Sequence, residues 1–165
     1  MAQRTLNPAE GFRPTDAQEL YIDLRKILLA TDGSRSALIA TKYAIGLAKI
    51  FKAQIRAVFV CGNNAAPNQP VDKISECLKA SASDKRGYHG LAVAGAYARE
   101  NNVTCEEIVL RGNTAKKIIE SGQEFMPDLI IIGNSKKSGI RRTLGSVADA
   151  VIKGTDIPVL VIRDA

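Results

Sequence analysis

The sequence predicts an α/β fold, and three observations carry that prediction. Five short apolar segments recur along the chain, at 26–31, 54–60, 103–110, 128–132 and 157–162. Between them lie stretches with helical spacing of apolar residues, which cannot sit flat as strands. Glycine-bearing turns follow the first and fourth apolar segments, at Asp32-Gly33-Ser34 and from Gly133 to Gly145. The order β-α-β-α-β-α-β-α-β implies parallel strands with helices on both faces. The expected architecture is one domain built on a five-stranded, parallel, doubly wound (Rossmann-like) open sheet.

Each element has its own justification. Residues 26–31 (Lys-Ile-Leu-Leu-Ala-Thr) are almost wholly apolar, the pattern of a strand covered on both faces. Asp32 or Ser34 can cap the helix that follows. In that helix Ala37, Ala40, Ala44, Leu47, Ala48 and Phe51 keep helical spacing, with Arg35, Lys42, Lys49 and Lys52 elsewhere. A second strand spans 54–60, and the Asn- and Pro-rich stretch 61–70 reads as a loop. A helix is expected over about 84–100, with Gly87 and Gly90 as candidate breaks. A third strand, 103–110, precedes a helix opened by Gly112-Asn113-Thr114. After the fourth strand, Ser146 is the expected N-cap of a helix over 146–153. Pro158 cannot donate to a ladder, which places the last strand at a sheet edge.

Composition bounds the function. The chain has 165 residues, enough for one domain with a real core. Its net charge is +6; residues 1–24, an N-terminal arm with no sustained apolar period, hold −2, leaving +8 on residues 25–165. That excess favours anionic partners without choosing among them. With no Trp and 5% aromatics there is no stacking platform, so nucleic-acid binding ranks last. The apolar runs are too short to span a bilayer, and the polar, acidic N-terminus has no secretory h-region. Cys61, Cys77 and Cys105 lack metal or disulfide spacing and suit a reducing cytosol, so a cytoplasmic protein is expected. His89, the lone histidine, has no placed acid or nucleophile beside it.

The stretch with chemistry in it runs from Asp128 to Val147. A buried strand enters a loop holding Gly133, Gly139 and Gly145 and the cations Lys136, Lys137, Arg141 and Arg142. The loop then opens a helix, whose N-terminus presents unpaired N–H groups and positive dipole to an anion. Doubly wound sheets bind ligands beyond the carboxyl ends of the strands, where the winding reverses. The loops after strands one and four are the expected pair at that point. The competing reading of these glycines is turn chemistry without a ligand.

Ile27-Leu-Leu-Ala-Thr-Asp32-Gly-Ser34, Gly112-Asn-Thr-Ala115, Asp128-Leu-Ile-Ile-Ile-Gly133 and the run from Gly139 to Val147 and on through Pro158–Ile162 together resemble the universal stress protein family. The resemblance covers about residues 25–163. It implies a stress-linked role, a homodimer joined through the last strand (157–162), and a bound adenine nucleotide, ATP or AMP, with Mg2+ able to accompany ATP. By the same resemblance the nucleotide-binding residues are Thr31, Asp32, Ile55, Gly133, Lys136, Gly139, Gly145, Ser146 and Val147. Asp32 would lie near the ribose and Ile55 under the adenine. The family pattern is Gly-x-x-Gly, nine residues, then Gly-Ser or Gly-Thr. Here Lys136 replaces the second glycine and eight residues separate it from Gly145. That departure motivates the alternative, a dimeric interaction module without nucleotide. No general base is poised for hydrolysis, so ATP turnover is expected to be absent or slow.

Overall fold

The structure, a computed structural model, describes residues 22–62, 81–134 and 144–164. Nine elements alternate within them: β1 (Lys26–Ala30), α1 (Arg35–Phe51), β2 (Gln54–Cys61), α2 (Ala82–Glu100), β3 (Cys105–Arg111), α3 (Thr114–Phe125), β4 (Leu129–Asn134), α4 (Ser146–Gly154) and β5 (Val159–Arg163). The strands form a single parallel sheet in the order β3-β2-β1-β4-β5. β1 sits in the middle, with Ala30 opposite Val58 on one side and Ile132 on the other. The winding reverses between β1 and β4, as the order of elements predicted.

Two apolar clusters flank the sheet. Ile27, Leu29, Ile55, Ala57, Phe59 and Ile131 point to the side of α1 and α2, where Ala40, Ala44, Ala48, Leu91, Ala94 and Ala98 meet them. Leu28, Ala30, Val58, Val60, Ile130 and Ile132 point the other way, toward Ile118 of α3 and Ala148 and Val151 of α4. Burial on both faces is why β1 and β4 read as continuous apolar runs. Small side chains on α1 and α2 let the helix backbones lie close to the sheet.

Three expectations are corrected. α2 begins at Ala82 and passes through Gly87 and Gly90 without a break. Ser81 caps it, its hydroxyl accepting from the Asp84 N–H at 3.2 Å. Gly87 and Gly90 are buried because they pack, not because they end the helix. β5 starts at Val159 rather than Ile157, since Pro158 has no N–H to donate and its carbonyl, accepting the Ile130 N–H (2.9 Å), makes the first bond of the β4–β5 ladder. β5 is nevertheless an edge strand, as Pro158 foretold. The third correction, at the start of α4, belongs to the site.

Candidate functional site

The cleft forms where the turns after β1 and β4 meet. Thr31 continues β1, its N–H donating to the Val58 carbonyl at 2.9 Å, and is 5% exposed. Its hydroxyl accepts the Gly33 N–H (3.3 Å), while Asp32 Oδ1 accepts the Ser34 N–H (2.9 Å). This Asx turn holds the Asp32 carboxylate at the surface. Ser34 is the N-cap of α1, its hydroxyl accepting from Ala37 N–H at 3.3 Å.

Glycine makes this turn possible in two ways. Gly33 has φ +70°, a conformation L side chains rarely adopt. A Cβ there would also lie within 2.7 Å of the Arg86 carbonyl carbon. From α2, a Cβ on Gly90 would lie 2.5 Å from the Gly33 Cα and 2.8 Å from Thr31 Oγ1. Arg86 Nε donates to the Asp32 carbonyl at 3.3 Å. The first crossover turn is thus wedged between the sheet and α2, backbone against backbone.

Gly133 does the same on the β4 side. A Cβ would stand 2.5 Å from Ala37 N and 2.7 Å from the Ser36 carbonyl carbon. This glycine lets the end of β4 lie against the first turn of α1. Next to it Asn134, 4% exposed, accepts the Gly145 N–H on its Oδ1 at 2.7 Å. That bond closes the loop, joining the last residue of β4 to the threshold of α4. Gly145, not Ser146, is the N-cap (φ −62°, ψ 147°), and among the described residues no side chain caps this helix. Ser146 is its exposed first residue, and Val147 packs partly against the second core cluster. The physical reason is Asn134: by tethering the Gly145 N–H it sets the helix start one residue earlier than Ser146 predicts.

The structure therefore brings together Thr31, Asp32, Gly133, Gly145, Ser146 and Val147 around the β1–β4 switch. Lys136 and Gly139 lie outside the described residues. Ile55 does not join the others. It is the second residue of β2, opposite Ile27 and Cys105, at the amino end of the sheet, and is 2% exposed in the core. The residues at the carboxyl end of β2 are Val60 and Cys61, the latter donating its thiol to the Leu110 carbonyl at 3.3 Å. Sequence reasoning missed Asn134 and the packing glycines of α2. Asn134 could have been found as an amide ending an otherwise apolar strand.

Among the described residues no group of three or more His, Cys, Asp or Glu could hold a metal, and no helix is long and apolar enough to cross a membrane. His89 is exposed. Burial, with Glu107 nearby, pushes the Cys105 thiol up to about 11, away from nucleophilic use.

The profile of the Universal stress protein family matches residues 23–163. The chain belongs to the universal stress protein family. A universal stress protein of Methanocaldococcus jannaschii is 36% identical over 153 residues, 90% of this chain and 85% of that protein. Among solved structures, a universal stress protein in complex with cAMP superposes with a TM-score of 0.64 at 23% identity, over 86% of this chain and 98% of that one. A universal stress protein of Archaeoglobus fulgidus in complex with dAMP gives 0.61 at 21% identity, over 86% and 99%. These likenesses show the fold, a five-stranded α/β sheet shared with universal stress proteins.

Proposed function

We propose that this universal stress protein is a regulatory protein that binds an adenine nucleotide, ATP or AMP, at the β1–β4 switch. The observation that carries the reading is the meeting of Thr31-Asp32 with Gly133 and the uncapped start of α4. The first N–H groups of a helix have no partner within it. At α4 no described side chain takes that role, so Ser146, Val147 and Ala148 present amides and dipole to a phosphate. Among the described residues no cation pairs with the Asp32 carboxylate. One of its oxygens holds the turn and the other is left for a ribose hydroxyl. Lys136 and Gly139, which lie outside the described residues, are proposed as phosphate contacts from their place in the family pattern alone. Mg2+, with ATP as ligand, would be held chiefly by the phosphates themselves. That one relative holds cAMP and another dAMP supports the adenine nucleotide class.

Calorimetric titration with ATP, ADP and AMP tests the reading, with saturable binding expected. Gly145→Asp adds a negative charge and a Cβ 2.7 Å from Asn134 Oδ1, and should weaken binding by about tenfold or more. An unchanged affinity in the folded variant removes the loop from the site. No heat and no thermal shift at millimolar nucleotide in the wild type leaves the interaction module as the function.

We further infer a cytoplasmic homodimer joined through β5. On this edge Val159, Leu160 and Val161 are half-buried and uncharged, whereas the β3 edge presents Glu106 and Glu107. Charge on an edge strand blocks pairing, and an apolar edge invites it. Sedimentation should give twice the 17.7 kDa of the chain; a monomer at micromolar concentration rejects the dimer.

A further inference from the structure

The outward side of α1 carries an apolar stripe among its cations, where a surface helix is expected to be polar. Tyr43, Gly46 and Ile50 follow one another at i, i+3 and i+7 on the side opposite the buried Ala37, Thr41, Ala44 and Ala48, while Ile39, one turn earlier, is half-buried against the first core cluster. Tyr43 is 54% exposed, Ile50 75% and Phe51 38%. Gly46 has nothing within 4 Å of its Cβ position, so a neighbouring chain could approach the helix closely there. Lys42, Lys49 and Lys52 border the stripe, and among the described residues no carboxylate pairs with them. Lys49 donates to the Asn101 amide oxygen (3.2 Å).

We propose that the outer face of α1 is covered by residues 1–21 of the same chain. Three observations select this occupant. The first is the point of entry. Leu24 is buried in the cluster that holds Ile45, Ala48 and Ala53, and the Gln54 N–H donates to the Arg25 carbonyl at 2.8 Å. The chain preceding Ile22 therefore starts beside the last turn of α1, where Ile50 and Phe51 lie, and Ile22 is itself 72% exposed. The second is reach. The 17 residues of α1 extend about 25 Å at 1.5 Å per residue, well within what 21 residues can span. The third is chemistry. Residues 1–21 carry Leu6, Phe12, Leu20 and Tyr21 for the stripe, and Glu10, Asp16 and Glu19 for the lysines. A second copy of α1 would instead set lysines against lysines.

Chymotrypsin digestion of the full-length protein tests the cover. Cleavage after Phe12, Leu20 and Tyr21 is followed by mass spectrometry against a synthetic peptide of residues 1–21 in the same tube. We expect cleavage in the protein to be about tenfold slower or more, because only the undocked fraction is cut. In the Tyr43→Glu/Ile50→Glu double variant, at exposed positions that leave the core intact, the rate should rise to that of the peptide. Lys42→Glu/Lys52→Glu should release part of the protection. Cleavage of the wild type at the peptide's rate overturns the proposal, as does protection that survives the Tyr43→Glu/Ile50→Glu pair. Protection that grows with protein concentration assigns the face to a second molecule and overturns it too.

Discussion

At the amino end of the sheet Asp128 Oδ2 accepts the N–H groups of both Arg25 and Lys26, each at 2.8 Å. Arg56 stands 4.5 Å from the centre of the Phe125 ring and reaches Glu106 (2.8 Å) and Glu124 (3.3 Å). Lys26 adds its own ammonium, 5.3 Å from the same ring, and donates to the Phe125 carbonyl at 3.2 Å. Polar groups there satisfy one another. The carboxyl end is built differently. Its close contacts are backbone on backbone, through Gly33, Gly90 and Gly133, and among the described residues no side chain caps the helix start at Gly145. One end closes the sheet with side chains; at the other, no described side chain takes the first amides of α4. A ligand site on this fold needs the second construction, because a side-chain network would fill the space a phosphate requires.

Four experiments probe the contrast between the two ends. The largest effect is expected from Gly133→Ala, where a methyl 2.5 Å from Ala37 N forces backbone apart. We expect a loss of about 3 kcal/mol, or roughly 6–12 °C in Tm by calorimetry, with nucleotide affinity falling as well. Wild-type stability would show that the carboxyl end is looser than its geometry.

Cys105 probes how dry the amino end is. With its thiol pushed up to about 11, alkylation at pH 8 should run about ten- to a hundredfold slower than for an ordinary thiol. The thiol ionises near 9.0 when unfolded and about 11 when folded, so it contributes stability below pH 9 that is lost as pH rises toward 11. Peptide-resolved iodoacetamide labelling reads the rate.

Asp128→Ala removes the acceptor for two backbone N–H groups at the amino end. Because both are exposed and can turn to water, the cost should be only about 1–2 kcal/mol by urea titration. Nucleotide affinity should not change, and a change would join the two ends. The smallest effect belongs to α3, away from both ends. Its bond to the Lys117 ammonium, 2.8 Å away, holds the Glu120 carboxyl below its ordinary 4.5. The stability this contributes is present above pH 4.5 and lost as pH falls below it. Lys117→Met should raise the Glu120 value in an NMR titration with little change in Tm.

Much of this was legible in the chain. The runs at 26–31 and 128–132 announced central strands because both faces of a doubly wound sheet exclude water and so demand apolar residues at every position. Asp32, Ser34 and Gly33 announced the first turn, since capping and positive φ are local demands. Asp149 and Lys153, four apart on α4, pair at 2.8 Å, a contact that i,i+4 spacing on a helix allows. Ser146 misled because N-cap preference is a local rule and the Asn134 amide, eleven residues upstream of Gly145, overrode it. Gly87 and Gly90 misled for a related reason. Glycine weakens a helix locally, and nothing in the helix itself reveals that Phe59 or the β1–α1 turn needs the space. Ile55 was placed under the adenine, but its strand position puts it at the far end from the turns.

The sequence by itself determined the number and order of strands, their parallel pairing and the point where the winding reverses, because apolar periodicity and short connections leave few alternatives. The tertiary structure decided which glycines carry contacts, where α4 begins, and that α1 turns an apolar stripe outward. Those features depend on which atoms from distant segments share a few ångströms, and no local pattern records that.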